Sequence, residues 1–434
     1  MLFKRAGLFC GHLVLVCLAV PFSVFSAGFS VPESSIEGIA LSDALVANSA
    51  LSGAFTYNYS SMLFAETDQF SIDLIGVSLD SSVSPSPPND TAGRVNNQAR
   101  DAALPSIYIT QKISQEYAWG LHLGVPFGLE TVWPASTFSH FQSVDSLLAA
   151  GGAVAGLHPA KSSLELVALS PSVGKKISDE FALAIGLDYY RVINVEVNST
   201  ANQLSGNGDE FGWNLSMQYH KGDFSAGLSY HSAVDIRIDG NADIGGLGVV
   251  SALTQLPLPD RLQLGVAYQW SEKLTTEFDI ERVGWSEYDQ LVLTSTGGAI
   301  PAGTVFSTTR NHWRDVTNYR LGVILQLDNK TKLLLGAGYE QKAQGDNYFD
   351  ATIADTDRYM LSAGGVYNAA NNWQIKAAYQ YAWMDDRRVN GRDYASQLVT
   401  SGGLDTDPNG SDVYNGKYTG HIQMLGIGVS KLFY

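Results

Sequence analysis

The chain has 434 residues, a formal charge of −16 from 27 Lys and Arg against 43 Asp and Glu, and only 16% charged residues. Such an acidic surface argues against nucleic acid as a partner. No apolar run of the ~18 residues that a membrane helix needs occurs beyond the first segment. Tyr leads an aromatic content of 11%, Gly is abundant, and the two cysteines are Cys10 and Cys17.

Residues 1–26 read as a signal peptide. Lys4 and Arg5 form a basic start, Leu8 to Val20 form the apolar stretch, and Val24-Phe25-Ser26 offers a small residue for cleavage before Ala27. The apolar run falls short of a spanning helix. A lipoprotein site at Cys17 is disfavoured because Val16 precedes it, where a small residue is expected. Both cysteines therefore leave with the signal. The remainder has no disulfide framework and no thiolate metal site.

Residues 27–66 are rich in Ser, Ala and Gly, with apolar positions that follow no clean period. They are too polar for a membrane helix and too irregular for a strand. The expectation is a plug inside a barrel formed by residues 67–434.

From Phe70 onward, alternation with a period of two returns repeatedly, the pattern of strands with two unlike faces. In 211–220, Phe211, Trp213, Leu215, Met217 and Tyr219 oppose Gly212, Asn214, Ser216, Gln218 and His220. In 274–281, Leu274, Thr276, Phe278 and Ile280 oppose Thr275, Glu277, Asp279 and Glu281. The apolar face often ends in an aromatic, as anchoring at a lipid–water boundary requires. The other face is small or polar and suits a wet lumen. A soluble β-sandwich would alternate too, but rarely needs so many strands of this length.

The expected strands are 70–83, 106–113, 119–128, 164–177, 181–199, 211–222, 224–240, 260–270, 274–286, 313–327, 332–341, 358–369, 373–386 and 419–434. Long connections (84–105, 129–163, 200–210, 241–259, 287–312, 342–357, 387–418) alternate with short turns such as Gly222-Asp223 and Asn371-Asn372. Long outer loops and short periplasmic turns are the outer-membrane pattern. The fold class is thus all-β: a transmembrane antiparallel β-barrel of about 14 strands, with an N-terminal plug in its lumen and both ends periplasmic.

Leu256 to Tyr288 resembles the FadL family, outer-membrane channels for long-chain fatty acids and other hydrophobic molecules. Ala27-Gly28-Phe29, Val125-Pro126-Phe127-Gly128-Leu129-Glu130-Thr131, Trp313-Arg314-Asp315 and Asp357-Arg358-Tyr359 agree in order. The resemblance implies a fourteen-stranded barrel whose plug is a hatch. It also implies a kink at Pro126 and Gly128 that opens the third strand for lateral exit into the bilayer; an ordinary strand end is the alternative. It further implies a lumenal ligand-binding arginine at Arg358, for which an ion pair with a neighbouring acid is the plain alternative. One departure stands out. Where the family hatch carries Asn-Pro-Ala, this chain has Asn58-Tyr59-Ser60, and proline's fixed φ is lost.

Two loops have the character of capture surfaces. Phe138 to Leu157, with Phe141, Leu147 and Leu148, could form a short amphipathic helix; Ile244 to Leu258 offers Leu247, Val250 and Leu253. The same residues could simply pack the loops over the barrel mouth. Lys376 and Arg261 face the lumen too, with Glu277, Asp279 and Glu281 as expected partners. Arg387-Arg388 is a candidate contact for lipopolysaccharide phosphates. The last strand ends Leu432-Phe433-Tyr434, resembling the signal read by the barrel-assembly machinery.

No catalytic set, cofactor motif or metal-ligand spacing stands out. Asp405-Thr406-Asp407-Pro408-Asn409-Gly410 imitates the start of a calcium loop, but Gly416 stands where a bidentate Glu is needed. The reading is a passive, monomeric channel in a Gram-negative outer membrane, in contact with its lipid and lipopolysaccharide. Fatty acids are favoured over aromatic hydrocarbons. A lipid-hydrolysing barrel enzyme is the alternative from another class.

Overall fold

In the computed structural model, which describes residues 28–150, 158–199, 202–244, 248–394 and 407–434, the alternating segments close into one antiparallel sheet. The fourteen wall strands are β1 Asp68–Pro85, β2 Ala102–Lys112, β3 Tyr117–Gly124, β4 Pro159–Lys176, β5 Phe181–Ser199, β6 Asn202–Lys221, β7 Phe224–His231, β8 Arg261–Ser271, β9 Leu274–Val283, β10 Val316–Gln326, β11 Thr331–Glu340, β12 Arg358–Asn368, β13 Trp373–Met384 and β14 Gly416–Phe433. Each pairs with its neighbours in sequence, and β1 meets β14 from Asp68↔Phe433 to Pro85↔Gly416. Closure pairs the first strand with the last, as a bilayer favours because it offers no hydrogen bonds.

The faces point as the alternation predicts. Leu264 and Val266 on β8, and Leu425 and Ile427 on β14, are exposed on the outer surface. Trp213 and Phe211 are exposed on β6, while Asn214, Ser216 and Gln218 on the alternate positions after them are buried. At this level the inner face is packed rather than open, because residues 28–66 fill the lumen. The short turns lie at one end. Asn371 and Asn372 both take left-handed φ, 57° and 60°, as a two-residue hairpin turn of the favoured twist demands.

Three expected outer loops are instead hairpin extensions. β5 and β6 continue to Ser199 and from Asn202. The expected strand 224–240 breaks after His231, where the Ser232 hydroxyl replaces a ladder carbonyl and accepts from Trp213 N–H (3.0 Å). Beyond the break, Val234–Ile244 pairs with Gly248–Leu258 and with the outer part of β6. Gln290–Gly298 and Val305–Arg310 form a further hairpin against it.

Inside, the segment 28–66 is short and capped. Helix α1 spans Ile36–Ala40, with the Ser35 side chain accepting from Gly38 N–H. Tight 3-10 turns follow at Ser52–Thr56 and Tyr59–Leu63. At the departure from Asn-Pro-Ala, Asn58 caps the second turn through Ser60 N–H (3.0 Å). Its amide also donates to Val46 and Met217 carbonyls (2.7 and 3.0 Å). Tyr59 packs on Phe55. Side-chain hydrogen bonds and packing thus shape a turn that proline would otherwise restrict.

Candidate functional site

The wall is irregular at one place. β3 stops at Gly124, and the chain rejoins the sheet as Gly128–Val132. Both pieces pair with β4, through Gly124↔Ala168 and Gly128↔Glu165, so Leu166 and Val167 have no β3-side partner. β2 pairs with β3 only from Ile107 to Lys112, which leaves Ala102–Ser106 laddered to β1 alone. Pro126 lies in the break and supplies no N–H. Gly128 is where pairing resumes.

The N-terminal strap occupies this gap. Val31 N–H donates to Pro126 C=O (2.8 Å), and Gly128 N–H donates to Phe29 C=O (3.0 Å). Between these bonds Ser30 and Phe127 face each other as an isolated antiparallel pair. On the far side, the Ser106 hydroxyl donates to Ser34 C=O (2.6 Å). Phe29 sits in an aromatic box of Trp285, Tyr288, Trp313 and Phe127, with centroids 4.7 to 6.0 Å away. Gly28 precedes it with φ +68°, and a Cβ there would lie 2.5 Å from the Trp313 ring. Only glycine fits that approach. The indole N–H groups of Trp285 and Trp313 are buried without a partner among the described residues.

The rest of the plug is tied to the wall by buried charge. Lys376 on β13 meets Asp73 of β1 (2.8 Å), Glu37 of α1 (3.2 Å) and the Tyr108 hydroxyl (2.7 Å). Arg320 on β10 meets Asp43 of the plug (3.3 Å), Glu281 (2.6 Å) and Glu340 (3.0 Å). Asp279 accepts from Leu45 and Val46 N–H (3.0 and 3.1 Å), and Glu277 accepts from Ala47 N–H (2.6 Å). Lys376 therefore pairs with other acids than Glu277, Asp279 and Glu281, and two of those three serve plug amides.

Arg358 opens β12, is buried, and ion-pairs with Glu340, whose other oxygen takes Arg320. It is thus part of the same network. Arg261 opens β8, and its side chain makes neither an ion pair nor a hydrogen bond with any described residue. Its guanidinium lies over the Phe127 ring, 5.8 Å from the centroid. Sequence reasoning placed it with the β9 acids. The signal for its position is its register beside His231 on β7, which no composition rule reveals.

The expected amphipathic helix forms as α2, His140–Ala150. Phe141 is buried in a cap cluster with Trp133, Phe138, Phe349 and Tyr414. Val250 is buried beside Ala242, Ile244 and Ala252 in a second cluster, and Leu253 is half-buried. Phe141 and Val250 thus pack the outer elements together. Leu247 and the side chains of Leu147 and Leu148 lie outside the described residues, as do Asp405 and Thr406. Arg387 is buried against Gln344, Asp346 and the Phe349 ring, while Arg388 is exposed.

One Ser–His–Asp group lies on the lumenal wall. His231 Nδ1 meets Asp188 Oδ2 (2.8 Å), but Ser170 donates to Asp188 Oδ1 rather than to the imidazole. A nucleophilic triad needs the serine on the histidine, so this group is not one. Among the described residues no cluster of His, Cys, Asp and Glu could hold a metal.

The family model described as outer membrane protein transport protein (OMPP1/FadL/TodX) matches residues 17–433. The long-chain fatty acid transport protein of Escherichia coli is 22% identical over 446 residues, covering 89% of this chain and 95% of that one. Outer membrane protein P1 of Haemophilus influenzae is 25% identical over 329 residues, covering 66% and 67%. Among solved structures, a Pseudomonas aeruginosa FadL homologue superposes with TM-score 0.75 at 16% identity, covering 94% of this chain and all of that one. The toluene transporter of Ralstonia pickettii superposes with TM-score 0.66, also at 16% identity, covering 94% and 99%.

Proposed function

The chain belongs to the OMPP1/FadL/TodX family of outer-membrane transport proteins for hydrophobic compounds, and we propose that it takes up long-chain fatty acids passively, releasing them sideways through the break in its third strand. The observation that carries this reading is the break itself. There the ladder is replaced by two backbone hydrogen bonds from a strap that is not a wall strand. A lipid tail leaving here passes from an aromatic box to bilayer without crossing the charged plug below. Each CH₂ moved out of water contributes about 0.8 kcal/mol, so apolar contact alone can bind a long tail.

Capture falls to the exposed parts of the outer hairpins, where Val249 and Val305 remain uncovered. The relative from Escherichia coli, named for long-chain fatty acid transport, supports the choice of ligand class. The test is native mass spectrometry of gently extracted protein, together with labelled-palmitate uptake by cells with and without the gene. Co-purified fatty acid and gene-dependent uptake are expected. No bound lipid together with equal uptake in both strains would sink the reading.

A further inference from the structure

The wall sets two lysines on one inward row. Lys332 of β11 and Lys376 of β13 flank Val366 of β12 in register, as Lys332↔Val366 and Val366↔Lys376. On β11 the alternate positions after Lys332 face the plug: Leu334 is buried, and a Cβ on Gly336 would strike Leu41 and Ser42. Lys376 is answered by Glu37 and Asp73. Lys332 is not. Its side chain makes neither an ion pair nor a hydrogen bond with any described residue. Of the acids whose field reaches it, Glu37 is held by Lys376, and Glu66 is exposed just before β1.

Lys332 lines a cavity of about 160 Å³ at the end of the barrel that carries the short turns. The plug loop 48–51 forms one side of it, and β6, β8 and β10 supply others. Leu51 and Ile324 give it an apolar patch, while Asn48 and Ser225 add polar groups. Asp223, Glu272 and Lys273 also border it, but they are exposed on turns, where solvent and salt screen them. Lys332 is half-buried. An ammonium partly removed from water without a counter-charge is unfavourable. A carboxylate relieves that cost, because lysine holds an anion as a point charge. Size limits the rest of the ligand. A cavity of about 150 Å³ holds benzene, so ~6 heavy atoms fit here and a long acyl tail does not.

We propose that this cavity is a periplasmic-side binding site for a small monocarboxylate, held by Lys332 against the plug loop 48–51. Bound acid supplies the counter-charge that the plug and wall give to Lys376 but not to Lys332. The site shares no residue with the break in the third strand, and it does not rest on the uptake reading above.

The test uses butyrate and its neutral counterpart butyramide, added to purified protein in phosphatidylcholine nanodiscs. Binding is read by saturation-transfer NMR on the probe's methyl group, against empty nanodiscs. The proteins are wild type, Lys332→Gln, Lys332→Arg and Lys330→Gln, each first shown by circular dichroism to be folded; Lys330 is an exposed lysine of the neighbouring turn. Butyrate should bind wild type saturably, and butyramide about 10- to 100-fold more weakly, as loss of a charge-assisted bond predicts. Lys332→Gln should weaken butyrate by a similar factor. Lys332→Arg should keep most of the binding, since it keeps the charge, and Lys330→Gln should leave it unchanged. No saturable butyrate binding to wild type, equal binding of butyramide, unchanged binding in Lys332→Gln, or an equal loss in Lys330→Gln would each overturn the proposal.

Discussion

The plug meets the wall in two ways. Around most of the circumference its backbone and acids are held by buried charged groups: Asp73 and Lys376 on one side, Glu277, Asp279 and Arg320 on the other. At the third strand, residues 29–31 instead add two neutral backbone hydrogen bonds to a ladder that has lost its own. Charge-assisted bonds are roughly twice as strong as neutral ones, and removing one partner of a buried pair strands the other. The comparison separates a body anchored by charge from a strap held by neutral backbone bonds and the rings around Phe29. On the proposed exit route, movement of the strap would open the wall while the body still seals the lumen.

The largest effect should come from the anchored side. Lys376→Met leaves Glu37 and Asp73 facing each other in a buried site, at a cost of about 3–5 kcal/mol. Thermal unfolding in micelles should show it as a lowered midpoint, and Glu37→Gln with Asp73→Asn in the same chain should recover part of the loss. An unchanged midpoint in the single variant would mean that this anchor does not hold the plug.

Asp279→Asn should act more locally, because it weakens the bonds to Leu45 and Val46 N–H and to the Gln263 amide, by about 1.5–3 kcal/mol. Hydrogen exchange at those amides should quicken while the wall amides of β9 stay protected. Quickening spread evenly over the barrel would show that plug and wall unfold as one unit.

The smallest effect lies in the outer cap. His158 Nε2 accepts from Phe138 N–H (3.0 Å), and burial holds its pKa below the usual histidine value. Its folded pKa is depressed, so its contribution is present above the unfolded value of about 6.5 and lost as pH falls through the folded one. Exchange at Phe138, corrected for its intrinsic rate, should quicken on acidification below about 6.5. A corrected rate that stays flat between neutral and acid pH would contradict this.

The barrel was legible because alternation is a local signal. Leu264 and Val266 declare their face from a few neighbouring residues. The outer hairpins were not, since 241–259, with Gly245 and Gly246, read as a loop although ladder pairing joins Val234–Ile244 to Gly248–Leu258. The break was signalled by Pro126 and Gly128, but its closure by Phe29 and Val31 was not, because contacts across such a sequence gap leave no pattern. Likewise the inward acids of β9 were visible as a row. That Asp279 serves Leu45 and Val46 depends on partners 233 and 234 residues away. Arg358 was picked out by its motif; its commitment to Glu340 depends on a cross-strand neighbour.

The central claim is that the strap must leave the break for ligand to pass, and a reversible lock tests it most directly. Ser30 and Phe127 form an antiparallel pair flanked by, but not sharing, hydrogen bonds. That close pairing suits a disulfide. With Ser30→Cys and Phe127→Cys combined, oxidised protein should stop palmitate uptake and reduced protein should resume it, while the reduced single variants transport. Transport by the fully oxidised protein at the reduced rate would contradict the account.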